Sequence, residues 1–202
     1  AAAAPPQPQP GAPGIGDRLF PTLGNGGYDA RHYNLDMTYP TSEPEQTVDG
    51  KVTMLARATQ SLSSFNLDFA DGTVSDVDVD GRDADFALEG EELVITPARA
   101  IRRGQTFLAK VDFTAGPDVP VDTLPFGWFT TLDGSVTAGQ PDLGHTIYPV
   151  NDHPADKATY TIKLDVPGGV TAVANGELRS QRSAGGRSVS LYVMDEPMAS
   201  EL

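Results

Sequence analysis

The 202-residue chain has no cysteine, one tryptophan and three histidines. The first absence removes disulfides, thiolate metal ligands and cysteine nucleophiles, and leaves the compartment open, because secreted proteins do not require disulfides. His32, His145 and His153 are too scattered to specify a metal site, and none belongs to an H-E-x-x-H pair. Ordinary polar contacts are expected for each. Basic residues are also scarce: 14 Lys and Arg stand against 28 Asp and Glu, a formal net charge of −14. That balance excludes nucleic acid as a partner, since phosphates would be repelled, and otherwise reads as a solvated acidic surface. No apolar run approaches the ~18 residues of a membrane-spanning helix, so no membrane partner is expected. G-x-S-x-G, phosphate-loop and dinucleotide fingerprints are missing too. Nothing supports an enzyme acting unaided.

What is present is punctuation. The 21 Gly and 17 Pro argue for many turns, and no window keeps apolar residues at i, i+3, i+4 and i+7 long enough for a helix. Tyr33, Leu35, Met37 and Tyr39 alternate with polar neighbours, and so do the apolar positions between Thr47 and Thr59. Further strands are expected over 62–69, 73–79, 84–88, 92–96 and 106–114. Asp71-Gly72, Asp80-Gly81, Glu89-Gly90 and Arg103-Gly104 supply turns between them. Short strands at this spacing predict an all-β fold, an antiparallel sandwich or saddle, with no internal repeat.

The segment from Gln140 to Gly176 organises the rest. Pro149 and Pro154 bracket a tight loop carrying Asn151, Asp152 and His153. Alternation then runs from Ala158 to Val166, breaks at Pro167-Gly168-Gly169, and resumes at Val170 toward Asn175-Gly176, a hairpin signal. At the other end, AAAAPPQPQPGAPG cannot build a core. Residues 1–15 are expected to form a flexible Ala/Pro/Gln tail, of the kind left after removal of a signal peptide, and 16–202 one domain. Secretion is the expected localisation.

The run Tyr148-Pro149-Val150-Asn151-Asp152-His153-Pro154, with Asp156-Lys157-Ala158-Thr159-Tyr160 and Val173-Ala174-Asn175-Gly176, resembles the aminopeptidase N family of zinc metallopeptidases. The matching part is that family's non-catalytic N-terminal β-saddle, and the likeness covers Gly16 to Leu202. The hairpin run from Phe65 to Gly116 and the Pro197-Met198-Ala199 step near the end fit the same pattern. The family's zinc motif and its G-A-M-E-N substrate motif do not occur in the chain. The resemblance therefore implies a domain that binds no zinc and hydrolyses nothing by itself. Zinc, the catalytic groups and the obligate partner would lie in a separate catalytic domain.

The family carries Gln or Glu twelve positions before the Asp of its Pro-x-x-Asp-x-Pro loop, and Gln140 stands twelve positions before Asp152. The resemblance implies that Gln140 binds the free amino terminus of peptide substrates. An amide oxygen can accept one hydrogen bond from an ammonium group, where a carboxylate would add Coulomb attraction. Asn151 and Asp152 read as structural groups capping their own turn. Asp76-Val77-Asp78-Val79-Asp80-Gly81 opens like a calcium loop, but the twelfth position, which requires Glu, is Ala87. Inward valines and outward aspartates before a turn explain it without a metal. Two other classes stay open: a stand-alone secreted binding or inhibitory module acting on a partner such as a peptidase, and a carbohydrate-binding sandwich. An apolar surface around Gln140, Trp128 and Phe129 would favour the absent catalytic domain.

Overall fold

The computed structural model describes residues 7–117 and 126–202. Its elements are β1 (Gln9–Pro10), β2 (Tyr28–Thr38), β3 (Val48–Ala58), β4 (Leu62–Asp68), β5 (Thr73–Val79), β6 (Asp85–Glu89), β7 (Glu92–Thr96), β8 (Thr106–Ala115), β9 (Gly127–Thr130), β10 (Ser135–Ala138), β11 (Ala158–Pro167), β12 (Glu177–Ala184) and β13 (Arg187–Met198), with one 3-10 turn at Gly144–Thr146. The all-β expectation holds. Among the described residues no helix is long and apolar enough to cross a membrane.

Three sheets result: a seven-stranded one in the order β12-β13-β11-β2-β3-β8-β5, a four-stranded one ordered β1-β4-β7-β6, and the β9–β10 pair. Pairing is antiparallel except at two places. β11 lies parallel to β2, with Tyr160 beside Tyr33 and Ile162 beside Leu35, and β1 runs parallel to β4. The parallel step follows from distance along the chain, since β11 returns after more than a hundred residues and needs no hairpin to reach β2.

The core lies between the large sheet and the four-stranded sheet. The strands that face it contribute alternate residues, as the pleat dictates: Val52, Met54 and Ala56 from β3, Phe107, Ala109 and Val111 from β8, Leu93 and Ile95 from β7, all nearly or wholly buried. Tyr28 meets Phe65 and Phe107 edge-on, at 5.8 and 6.2 Å between centroids, and Phe69 meets Phe113 at 5.5 Å. Edge-to-face geometry sets the positive ring edge against the negative ring face.

Three expectations need correction or limits. Asn175-Gly176 is not a hairpin turn, and the 170–174 stretch forms no strand. Its alternation is real but local: Ala172 and Ala174 pack against the core while Val173 stays exposed. The hairpin is at Gly185-Gly186, both at positive φ (60° and 77°), joining β12 to β13 with Ala184 opposite Arg187. Two successive residues at positive φ are what a two-residue turn between right-twisted strands requires, and glycine adopts that at no steric cost. Of the expected 1–15 tail, residues 1–6 lie outside the described residues. Gln9 and Pro10 pair with β4, and the Gly11 amide donates to the Ser64 carbonyl at 2.8 Å.

Candidate functional site

Gln140 follows β10 on the loop leading to the 3-10 turn. Its side chain is exposed and makes no hydrogen bond among the described residues. The backbone beneath it is fixed: the Leu143 amide donates to the Gly139 carbonyl at 2.7 Å. A Cβ on Gly139 would lie 2.8 Å from the Glu201 carbonyl oxygen. Only glycine lets the two segments approach this closely.

Gln140 lines a groove of about 390 Å³. Leu35 and Met37 of β2 and Ile162 and Leu164 of β11 form its apolar floor, and exposed Phe126 and Val173 stand on its rim. Glu201 lines it too, and the Glu201 Oε2 atom is buried with no partner among the described residues. Nothing in the sequence signalled Glu201, because only the fold brings residues 139 and 201 together.

The expected docking surface is apolar, but not through Trp128. That indole is buried against Tyr39, with ring centroids 6.4 Å apart. Trp128 sits on β9 with its side chain turned inward, so Phe126, Val136 and Val173 take its place at the surface.

Behind the groove the Pro149–Pro154 loop is locked by a buried polar network. Val150 exchanges two backbone hydrogen bonds with Asp68 of β4 (2.7 and 3.0 Å). The Asp152 amide donates to Asp68 Oδ2 at 2.7 Å. The Asp152 carboxylate accepts from the His145 amide at 3.0 Å, from His145 Nδ1 at 2.7 Å and from Ser200 Oγ at 2.6 Å. Asn151 Oδ1 accepts from the Asn25 amide at 2.5 Å, and its Nδ2 donates to Asp156. Asn151 and Asp152 are thus structural, but they tie distant segments together instead of capping their own turn.

The network shifts its members' protonation. Burial pushes Asp152 up, but hydrogen bonds from His145 and Ser200 outweigh it and hold its carboxyl below the usual range. Burial pulls His145 down, yet its hydrogen bond to Asp152 and that charge leave it raised. Desolvation lifts Asp68 to about 6, Asp156 to about 6 and Glu92 to about 7.

The histidines turn to three different partners. His32 contacts Thr159 at 2.7 Å, His145 contacts Asp152, and His153 Nε2 lies 3.2 Å from Asp17. Among the described residues no group of three or more His, Asp or Glu could hold a metal ion. In the Asp76–Asp80 turn the carboxylates serve the backbone. Asp78 Oδ1 accepts from the Gly81 amide at 2.7 Å and Asp80 Oδ1 from the Leu108 amide at 2.9 Å, while Val77 and Val79 point inward.

The fold and this loop define an M1 peptidase N-terminal domain. The chain belongs to the Peptidase M1 N-terminal domain family, whose model matches residues 29–202. It is 29% identical over 196 residues to leukotriene A-4 hydrolase of Xenopus laevis, spanning 87% of this chain and 30% of that protein. It superposes with a TM-score of 0.85 on the M1 zinc metallopeptidase of Deinococcus radiodurans, at 28% identity, covering 93% of this chain and 43% of that one. A mutant of the Deinococcus radiodurans enzyme bound to a Tyr-Ser-Ala substrate matches equally well, at 27% identity over 93% of this chain and 44% of that one. The chain spans less than half the length of the relatives it matches.

Proposed function

We propose that this chain is the non-catalytic N-terminal domain of a secreted zinc aminopeptidase. Its groove face walls one side of the active-site cleft, and Gln140 helps anchor the free amino terminus of the peptide. The observation that carries this reading is Gln140 itself: an exposed amide, with no hydrogen-bond partner among the described residues, on the edge of an apolar groove. Such an amide can accept from a ligand's ammonium, and anchoring that group restricts cleavage to the first residue. The apolar rim of Phe126 and Val173 fits a face that a neighbouring domain covers. The Tyr-Ser-Ala-bound relative supports a peptide as the ligand.

Zinc would be held by the catalytic domain, where it activates water for attack on the first peptide carbonyl. The residues of this chain position the amino terminus and exclude water from one side of the cleft.

Two measurements test the reading: the intact mass of the protein secreted by its natural host, and an aminopeptidase assay on that material. A species far larger than 21.3 kDa with chelator-sensitive release of N-terminal residues is expected. In that enzyme Gln140→Ala should raise KM about tenfold, the worth of one hydrogen bond to a charged group. Unchanged kinetics would reject the anchor role. A secreted species of 21.3 kDa without activity would support the stand-alone binding or inhibitory module instead.

A further inference from the structure

We propose that the outer face of the large sheet, at the turn between β7 and β8, is a docking surface for a short acidic segment of a partner protein, with an apolar residue among its carboxylates. Arg57, Arg102 and Arg103 build it around Leu55 and Leu108. It lies on the other side of the sheet from the groove. Val52, Met54 and Ala56 of β3 face the core, on the side where Leu35 lines the groove, while Leu55 and Arg57 alternate outward.

The turn is held at many points. The Gln105 amide donates to the Arg102 carbonyl at 2.9 Å, the Gly104 amide to the Ala58 carbonyl at 2.8 Å and the Ala58 amide to the Gln105 carbonyl at 2.9 Å. The Arg102 amide donates to Gln105 Oε1 at 3.1 Å, and the Arg103 amide to Ser61 Oγ at 3.2 Å. A Cβ on Gly104 would lie 3.9 Å from Arg57 Nη2, so the Arg57 guanidinium rests over the turn that presents the other two arginines. Three like charges gathered there repel one another, and among the described residues no ion pair offsets them. All three residues are exposed. The nearest carboxylates are engaged elsewhere. Asp29, opposite Arg57 across β2 and β3, pairs with Arg31 at 2.5 Å. Asp80 accepts from the Leu108 amide at 2.9 Å and from Gln105 Nε2 at 3.3 Å.

The fork of an arginine takes a carboxylate through two parallel hydrogen bonds. Leu108, 45% exposed, stands opposite half-buried Leu55 across β3 and β8 and gives an apolar seat beside the charges. The net charge of −14 selects against long polyanions. A sulfated glycan or an anionic membrane would meet repulsion beyond the patch, whereas screening over ~8 Å at physiological ionic strength leaves a short segment under the influence of the arginines alone.

The test measures binding of the 202-residue chain to a fluorescein-labelled peptide, Asp-Glu-Leu-Leu-Asp-Glu, by fluorescence anisotropy, beside its neutral counterpart Asn-Gln-Leu-Leu-Asn-Gln. The acidic peptide should bind about tenfold more tightly, as for one hydrogen-bonded charged pair. That preference should vanish in about 1 M NaCl, where charges are screened over ~3 Å. Changing Arg57, Arg102 and Arg103 together to Gln should abolish it with the melting temperature unchanged, since all three are exposed. The matched control is Lys51→Gln, Lys110→Gln and Lys163→Gln combined. It removes the same charge from the same face, at lysines already paired with Asp112 and Asp36, and should keep the preference. Equal binding of the two peptides, binding of neither, a preference that survives the arginine variant, or one lost equally in the lysine variant would each overturn the proposal. So would heparin or phosphatidylserine vesicles binding more tightly than the acidic peptide. Gln140→Ala should leave the preference intact, so failure of the amino-terminus anchor and failure of this surface are read separately.

Discussion

Asp68 and Glu92 stand directly opposite each other across the antiparallel β4–β7 pair, so two carboxyl groups leave the same face of the sheet at neighbouring positions. Like charges placed this way repel, and Asp68 is almost wholly buried, with Oδ1 unpartnered, as is Glu92 Oε2, among the described residues. Asp152 and His145 are the other titratable groups acting on the pair. Desolvation raises Asp68 to about 6 and Glu92 to about 7, and the Asp68 charge adds to the rise at Glu92. In both cases the folded value exceeds the unfolded one. Their stabilising contribution is therefore complete below about pH 4 and is lost as pH rises through 6 to 7.

Glu92→Gln should flatten that dependence. It removes one titrating charge and keeps the shape of the side chain. Discounting the shift for the partial solvent exposure of Glu92, a gain of about 1 kcal/mol at pH 8 is expected, and little change at pH 4. Denaturant unfolding at the two pH values measures it. A variant as pH-dependent as the wild-type chain would mean that Asp68 and Glu92 do not interact in the folded state.

Within the His145–Asp152 pair the two groups act in opposite senses. Asp152 is held below its usual range, so its contribution is lost as pH falls through that lowered value. His145 is raised, so its contribution fades as pH climbs through the raised value. Asp152→Ala strands the His145 amide, His145 Nδ1 and Ser200 Oγ at once. A loss of about 3 kcal/mol is expected, as for breaking one side of a buried charged network. The milder Asp152→Asn should lower the His145 pKa, followed by the imidazole proton shift in NMR, because burial then acts with less opposition. An unmoved value would show that Asp152 does not set it.

At Gly50 the large sheet carries a second constraint. Gly50 faces Phe113 across β3 and β8, and a Cβ there would come within 2.2 Å of the ring. The ring cannot swing away freely, because Phe113 is buried and packs edge-on against Phe69. Gly50→Ala should cost about 2 kcal/mol through overpacking, and Gly50→Ala combined with Phe113→Leu should recover part of it. Additive losses would place the strain elsewhere.

The strands that alternate cleanly were legible in the sequence: 73–79 and 92–96 coincide with β5 and β7, and β2, β3, β8 and β11 fall within a few residues of expectation. What resisted reading has a physical reason in each case. β12 is exposed along its whole length, so it carries no inside-outside alternation, and Asn175-Gly176 drew the hairpin expectation away from Gly185-Gly186. The twelve-residue spacing that singled out Gln140 is a local pattern, visible in one dimension. Glu201 and the Asp68–Glu92 pair are contacts between distant segments, and nothing in the neighbourhood of either residue along the chain announces them.

Gly139 tests how firmly the Gln140 loop is seated. A methyl group at 139 would sit 2.8 Å from the Glu201 carbonyl oxygen and 3.3 Å from its Cα, both backbone atoms that no rotamer change can move aside. Gly139→Ala should therefore push the 139–143 loop away from the 200–201 segment at a cost of about 1–3 kcal/mol. The side chain of Gln140 would move with it. Gly134→Ala, in the neighbouring β9–β10 turn, is the matched control. Its Cβ would have nothing closer than Thr131 Oγ1 at 3.9 Å, and Gly134 is not at positive φ, so stability should change by no more than about 0.5 kcal/mol. Thermal unfolding of the two variants gives the comparison, and the NMR signal of the Gln140 side-chain amide reports the loop directly. If Gly139→Ala is as stable as Gly134→Ala and leaves that signal in place, the 139–201 contact does not position Gln140.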